Sequence, residues 1–418
     1  MDKKEKVKGY KCISCGEEYT INDVEYVCKK CSGNLQVMYN YHLIKKKFTK
    51  PDLAHNPDLS IWRYRELLPV SDLSRKPPVH IGWTPLYKTV RLGKKLGLEN
   101  LYVKDDGRNP SASSKDRAGA LVIVHALEQG EEVIACASTG NAASSLSCLT
   151  APLGLKTVIF VPVTSPRAKI AQLLVFGATV IAVEGTYDEA YDLCIKAAEE
   201  YGWYNRNTGY NPYTREGKKT VSYEICEQLG WECPDKVFVP VGDGNMISGV
   251  WKGFVDLFEI GFISRLPQII ACQAEKSDAV KRAFESDGVI RPVSGDTVAD
   301  SISVRLPRDG AAAVKAIKES KGAAVSVTDD HIIQSIPKLA REAGIFGEPA
   351  GVASLAALEK AVLNNMVKED EKIVVLVTGN GLKDIDSAMK SSGKPFKINP
   401  DIKDLRNLVS AEPGAFLM

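Results

Sequence analysis

Three apolar runs along the chain each end in a turn of small polar residues. Val133-Ile134-Ala135-Cys136-Ala137 leads into Ser138-Thr139-Gly140-Asn141, and Lys236-Val237-Phe238-Val239-Pro240-Val241 leads into Gly242-Asp243-Gly244-Asn245. Lys372-Ile373-Val374-Val375-Leu376-Val377 leads into Thr378-Gly379-Asn380-Gly381. The runs are short, continuous and partly β-branched, which is the pattern of strands covered on both faces. Further strand-like runs fall at 157–161, 179–183, 269–271 and 324–327, with helical patterns between them. Such alternation predicts an α/β fold in which helices cover both faces of a parallel sheet. Sheets of this kind bind ligands at the carboxyl ends of their strands, so the three polar turns are expected to share one pocket.

The stretch Asn109-Pro110-Ser111-Ala112-Ser113-Ser114-Lys115-Asp116-Arg117-Ala118-Gly119 places a lysine where a polar loop becomes an apolar helix. A helix start disfavours a cation, and a partly desolvated amine loses its proton more readily, so Lys115 is suited to condense with a carbonyl. The Gly242-Asp243-Gly244-Asn245 turn, placed before a helix, can present backbone N–H groups to a phosphate. Side chains at Gly242 and Gly244 are expected to block that approach. A dinucleotide fingerprint is disfavoured, because Ile247 stands where its third glycine belongs. A solvated lysine and an ordinary glycine turn are the plain alternatives for either feature taken alone.

Near the amino terminus, Cys12-Ile13-Ser14-Cys15 and Cys28-Lys29-Lys30-Cys31 form two C-x2-C pairs. Two such knuckles can close a tetrahedral thiolate shell, and Gly16 and Gly33 stand where each knuckle needs a turn. A structural zinc fits this spacing better than a disulfide pair or a redox centre. The other cysteines, at 136, 148, 194, 226, 233 and 272, show no pairing pattern and read as reduced thiols.

Composition narrows the class. The 418 residues suffice for two or three domains. With 54 basic and 52 acidic side chains the net charge is +2, so no global field invites nucleic acid or an anionic membrane. The start Met1-Asp2-Lys3-Lys4-Glu5-Lys6-Val7-Lys8 lacks an apolar segment, and no transmembrane run is visible. A cytoplasmic protein is expected.

Over roughly 60–400 the chain resembles the fold-type II (tryptophan synthase β-like) enzymes that use pyridoxal 5′-phosphate, PLP, and within them the threonine synthases. The resemblance rests on Gly82-Trp83-Thr84-Pro85-Leu86, Ser114-Lys115-Asp116-Arg117, Ser138-Thr139-Gly140-Asn141, Gly242-Asp243-Gly244-Asn245 and Val377-Thr378-Gly379-Asn380-Gly381-Leu382-Lys383-Asp384, which occur in the family's order. It implies that Lys115 is catalytic and carries PLP, and that Asn141 donates to the cofactor's phenolic oxygen. Gly242, Asp243, Gly244, Asn245 and Met246 would hold the phosphate, and Thr378 the pyridine nitrogen. Ser138 and Thr139 would take the substrate's carboxylate. The implied layout is a zinc ribbon at 8–40, a linking arm at 41–79, a smaller α/β domain at 105–212, a larger one from 80–104 and 213–400, and a tail at 401–418. A homodimer acting on a small amino-acid substrate is implied as well.

Departures from the family pattern keep the substrate open. Ser114 stands where Phe is common, Ala142 where Thr is frequent, and in Asn211-Pro212-Tyr213-Thr214-Arg215-Glu216-Gly217 the arginine falls one position late. Arg215 is expected to grip a substrate phosphate from that shifted place. The readings are therefore a threonine synthase acting on O-phospho-L-homoserine, a related lyase or β-replacement enzyme such as an amino-acid dehydratase or cysteate-type synthase, and a non-catalytic protein using the ribbon to bind a partner.

Overall fold

The computed structural model describes residues 1–165 and 167–416. Its strands are β1 (Val7–Cys12), β2 (Glu18–Tyr19), β3 (Leu35–Tyr39), β4 (Leu86–Lys88), β5 (Asn100–Asp105), β6 (Val133–Ala137) and β7 (Lys156–Pro162). They continue with β8 (Thr179–Val183), β9 (Tyr204–Asn205), β10 (Lys236–Pro240), β11 (Gln268–Ala274), β12 (Ala323–Val327) and β13 (Lys372–Val377). A small antiparallel sheet has the order β2-β1-β3, a six-stranded sheet the order β12-β11-β10-β13-β5-β4, and a four-stranded sheet the order β8-β7-β6-β9.

The two larger sheets are parallel apart from the short edge strand β4. Continuous apolar runs became central strands: every residue of β10 is buried, as is β13 beyond Lys372. By contrast β8 is an edge strand and largely exposed. All three polar turns identified above follow directly on the carboxyl ends of β6, β10 and β13. No helix among the described residues is long and apolar enough to cross a membrane.

The segment after the ribbon packs against the body. Ile61, Trp62, Tyr64, Leu67 and Leu68 are buried, and the Arg63 guanidinium pairs with Glu227 at 2.6 Å while donating to the carbonyls of Leu53 and Asp58. At the far end, the tail carries a helix, Ile402–Ala411, capped by Asp401, whose Ile402 and Leu405 remain exposed.

A fully buried group of charges joins the elements around Lys115. Arg117 donates to Asp106 (2.8 and 2.9 Å) and to both carboxylate oxygens of Glu224, which also accepts from Lys104 at 2.7 Å. All four side chains are sealed from solvent, and the two cations balance the two carboxylates. Thr84 joins the group, its hydroxyl donating to Asp106 and its N–H to Glu224. Gly82 beside it has φ +81°, and a Cβ there would lie 2.5 Å from Ile61 Cγ2 and 2.6 Å from Glu224 Oε1. The segment 82–84 is thus held against the start of the Lys115–Glu128 helix.

Breaking one member of a buried ion group leaves an uncompensated charge and costs about 3–5 kcal/mol. Arg117→Ala should therefore lower the urea midpoint of unfolding strongly. Glu18→Ala, which removes an exposed pair with Lys11, should leave the midpoint almost unchanged.

Candidate active site

A cavity of about 510 Å³ opens between the six-stranded and four-stranded sheets. Lys115, Ser138, Thr139, Asn141, Gly242, Asp243, Gly244, Asn245, Met246 and Thr378 all line it. Lys115 is the first residue of its helix, and the loop before it is stitched to the turn after β13. Ser113 bridges to Gly379, Ser114 N–H donates to the Thr378 carbonyl at 2.8 Å, and Asn380 N–H donates to the Ala112 carbonyl at 3.0 Å. Asp116 closes the loop by accepting from the N–H and the hydroxyl of Ser111. Lys115 and Thr378 are therefore set side by side by backbone pairing.

Burial lowers the Lys115 pKa from its usual 10.5; Arg206 and Lys383 push the same way, and Glu348 and Asp243 oppose them. Lys218, which also lines the cavity, is lowered well below its usual value by burial and by the charges of Lys115 and Arg206. Burial pushes the Asp243 carboxyl up to about 6, against a hydrogen bond from the Arg308 N–H at 2.6 Å. The amines are thus biased toward their neutral forms in a site that concentrates positive charge.

The glycine turn precedes a helix, Asn245–Glu259, whose first N–H groups are available to an anion. Close packing adds a reason for the glycines. A Cβ at Gly242 would sit 2.8 Å from Ile302 Cα, and one at Gly244 (φ +91°) 2.5 Å from the Asp309 carbonyl oxygen. Their lack of a side chain lets the turn close onto the 302–309 segment. Lys218 Nζ stands beside the turn, 2.6 Å from Asn245 Oδ1, while the Asn245 amide donates to Asp309.

Two other expectations meet a different arrangement. Asn141 reaches the cavity, yet its amide nitrogen is engaged by both oxygens of Glu348 (2.9 and 3.1 Å) and by Ser301. Arg215 does not reach the cavity. Its guanidinium donates twice to Asp309 (2.6 and 2.7 Å), to the Leu35 carbonyl and to Ser248, while the Thr214 hydroxyl donates to the Asn211 carbonyl. A guanidinium so fully bonded has no edge left for a substrate.

Three residues at the site were not singled out from sequence. Lys218 and Arg206 line the cavity, and Glu348 holds Asn141. Glu348 lies in Gly347-Glu348-Pro349, where a buried acid before a helix-initiating proline was the available signal. Arg206 lies between two asparagines just after the two-residue strand β9. The buried Arg206 carries two nitrogens, Nε and Nη2, without a hydrogen-bond partner. An orphaned buried cation lining this cavity fits a ligand that brings its own anionic group.

At the amino terminus the sulfurs of Cys12, Cys15, Cys28 and Cys31 all lie within 4.8 Å of one another, with 3.5 Å between Cys12 and Cys31 and 3.6 Å between Cys15 and Cys28. Sulfurs around one tetrahedral zinc are separated by about 3.8 Å. Gly16 (φ +77°) supplies the turn of the first knuckle, whereas in the second Ser32 takes the positive φ, +54°. Gly33 serves by close approach, since a Cβ there would be 3.0 Å from Cys12 Sγ and 3.1 Å from Cys31 Sγ.

A lysine-bearing cleft between two parallel sheets, faced by a glycine turn at a helix start, defines the fold-type II class of PLP enzymes. The family model described as pyridoxal-phosphate dependent enzyme matches residues 78–379. The chain is 39% identical over 402 residues to the threonine synthase of Methanocaldococcus jannaschii, covering 96% of this chain and 98% of that one. It is 38% identical over 404 residues to the threonine synthase of Methanosarcina acetivorans, again covering 96% and 98%. On these matches the chain belongs to the threonine synthase family of PLP-dependent enzymes. In structure it resembles the processed threonine deaminase isoform 2 of Solanum lycopersicum, with a TM-score of 0.64 at 24% identity, covering 74% of this chain and 87% of that one.

Two outcomes follow from the geometry. Gly244→Ala adds strain at a positive φ and a methyl group against Asp309, so it should weaken PLP retention by at least about tenfold, as read by equilibrium dialysis. Because the Lys115 pKa is lowered, recombination of stripped protein with PLP should speed up as pH rises and reach its plateau below the usual 10.5, as followed by stopped-flow absorbance.

Proposed function

We propose that the chain converts O-phospho-L-homoserine and water to L-threonine and phosphate, with PLP held at Lys115. The observation that carries this reading is the gathering of Lys115, Arg206 and Lys218 around one buried cavity. Lys218 stands beside the glycine turn, and Arg206, whose guanidinium keeps its charge when buried, is left over for a second anion, as an enzyme holding both a cofactor phosphate and a substrate phosphate requires. The curated relatives named threonine synthase support the same choice.

When bound, PLP withdraws electrons from the amino acid and makes protons on its carbon chain labile. The chain's own residues then have distinct tasks. The 242–246 turn and helix start hold the cofactor's phosphate, and the Thr378 hydroxyl hydrogen-bonds its ring nitrogen without forcing a proton onto it. Ser138 and Thr139, ahead of the Asn141–Thr150 helix, hold the substrate's carboxylate. Asn141, held by Glu348, would orient the cofactor's phenolic oxygen with its side-chain amide. The Lys115 amine, whose proton is held less tightly because of burial, takes and returns protons at Cα and Cβ. Phosphate departs from Cγ and water adds at Cβ.

The four thiolates would hold a structural zinc, supported by their mutual distances and by the close fit of Gly33. The two larger sheets support a division into 105–212 and 80–104 with 213–400. A cytoplasmic homodimer belongs to this reading through its resemblance to the family.

Purified protein should release phosphate and form threonine in equal amounts from O-phosphohomoserine, and Lys115→Ala should reduce turnover by at least about a thousandfold. Turnover of serine, threonine or O-phosphoserine in its place would overturn the substrate assignment. Metal analysis should return about one zinc per chain, falling sharply in Cys28→Ser.

A further inference from the structure

Arg206 is a buried cation whose partner is missing. It follows β9, and its N–H donates to the Ala135 carbonyl at 2.9 Å, continuing the pairing with β6. Next to it, Asn207 Oδ1 accepts from the Ala137 N–H at 2.8 Å. The residue is thereby fixed beside the Ser138-Thr139 turn, on the wall built by the four-stranded sheet. Its Nη1 donates to Thr208 Oγ1 at 2.8 Å, leaving Nε and Nη2 unpaired, and among the described residues it makes no ion pair with a carboxylate. Unlike a lysine, a guanidinium cannot relieve burial by losing its proton. Its Nε–Nη2 edge, unpaired and closed to solvent, has the spacing of bidentate anion recognition, so an anion would meet it at the cavity wall that Arg206 lines.

Three anions could enter the cavity in the threonine synthase reading, and two already have a place. The cofactor's phosphate has the glycine turn, the helix start and Lys218 on the wall of the six-stranded sheet. The substrate's carboxylate has Ser138, Thr139 and the start of the Asn141–Thr150 helix. The substrate's phosphate has lost the arginine expected within 211–217, since Arg215 is held by Asp309. We propose that Arg206 is the residue that recognises the leaving phosphate of the substrate, through its Nε–Nη2 edge, with Thr208 bracing the guanidinium. This assignment rests on the threonine synthase reading and names the group that selects a phosphorylated substrate.

The test uses the PLP-loaded full chain and two variants, Arg206→Gln and Arg206→Lys. Arg206→Gln should lower kcat/KM for O-phosphohomoserine by about a hundredfold or more, mainly through KM. Arg206→Lys, which keeps the charge but loses the two-pronged contact, should fall between. Affinity for PLP and for L-threonine, the latter read from the visible spectrum, should stay within about threefold of wild type, since neither contact uses this edge. Calorimetry should show inorganic phosphate binding to the wild-type holoenzyme and not to Arg206→Gln. Stripped of cofactor, Arg206→Gln should melt no lower than wild type, because it removes an unpaired buried charge, whereas loss of a merely structural arginine would lower Tm.

Loss of PLP affinity in proportion to kcat/KM would assign Arg206 to the cofactor's phosphate, and equal weakening of L-threonine would assign it to the carboxylate; either overturns the proposal. Unchanged kinetics would do the same. If wild-type protein fails to turn over O-phosphohomoserine, the functional reading fails separately. The calorimetric arm then still decides whether Arg206 holds phosphate, and binding retained in Arg206→Gln would sink it.

Discussion

The Arg117 ion group fixes where everything else in the cleft can be. Its guanidinium, buried with Asp106, Glu224 and Lys104, locks the start of the Lys115–Glu128 helix to the end of β5 and to the Thr220–Gln228 helix. Lys115 is two residues upstream on the same first turn, so a shift of that helix would move the amine out of the cavity. A buried group of this kind adds little net stability compared with apolar packing, but it is intolerant of rearrangement. That intolerance suits the role proposed for Lys115, whose amine would have to keep its place through each turnover.

A second hub lies on the other side of the cavity. The Asp309 carboxylate accepts from Arg215, Asn245, Ser248 and Asn34, and its N–H donates to the Asp243 carbonyl. Asn34 belongs to the ribbon, and Leu35 in β3 receives the remaining arm of Arg215. The cysteine cluster is thus joined to the phosphate turn through few side chains. Arg215 serves this structural joint, which explains why an arginine one place from its expected position is sealed away rather than presented to substrate.

Much of the site was legible because its chemistry sits in contiguous strings at strand ends. Ser138, Gly242 and Thr378 each follow a run whose burial could be read from its lack of alternation, and the cysteine spacing carried its own geometry. What escaped depends on contacts between distant segments. Glu348 acquires meaning only by meeting Asn141 across the cleft, and Arg206 only by making no ion pair among the described residues. The need for glycine at 242 and 244 was legible, but its packing component was not, since the residues they approach lie at 302 and 309. Arg215 misled because a motif displaced by one residue changes which wall of a helix the side chain faces.

Backbone pairing and the Arg117 group set Lys115 apart, among several buried amines, as the one proposed to hold the cofactor. Lys218 and Lys383 are also lowered in pKa by burial, and both lie near enough to Lys115 to shift its titration or be shifted by it. Borohydride reduction of the PLP-loaded protein followed by peptide mass mapping distinguishes them directly. A single reduced cofactor adduct is expected on the peptide containing Lys115. An adduct on Lys218 or Lys383, with Lys115 unmodified, would contradict it.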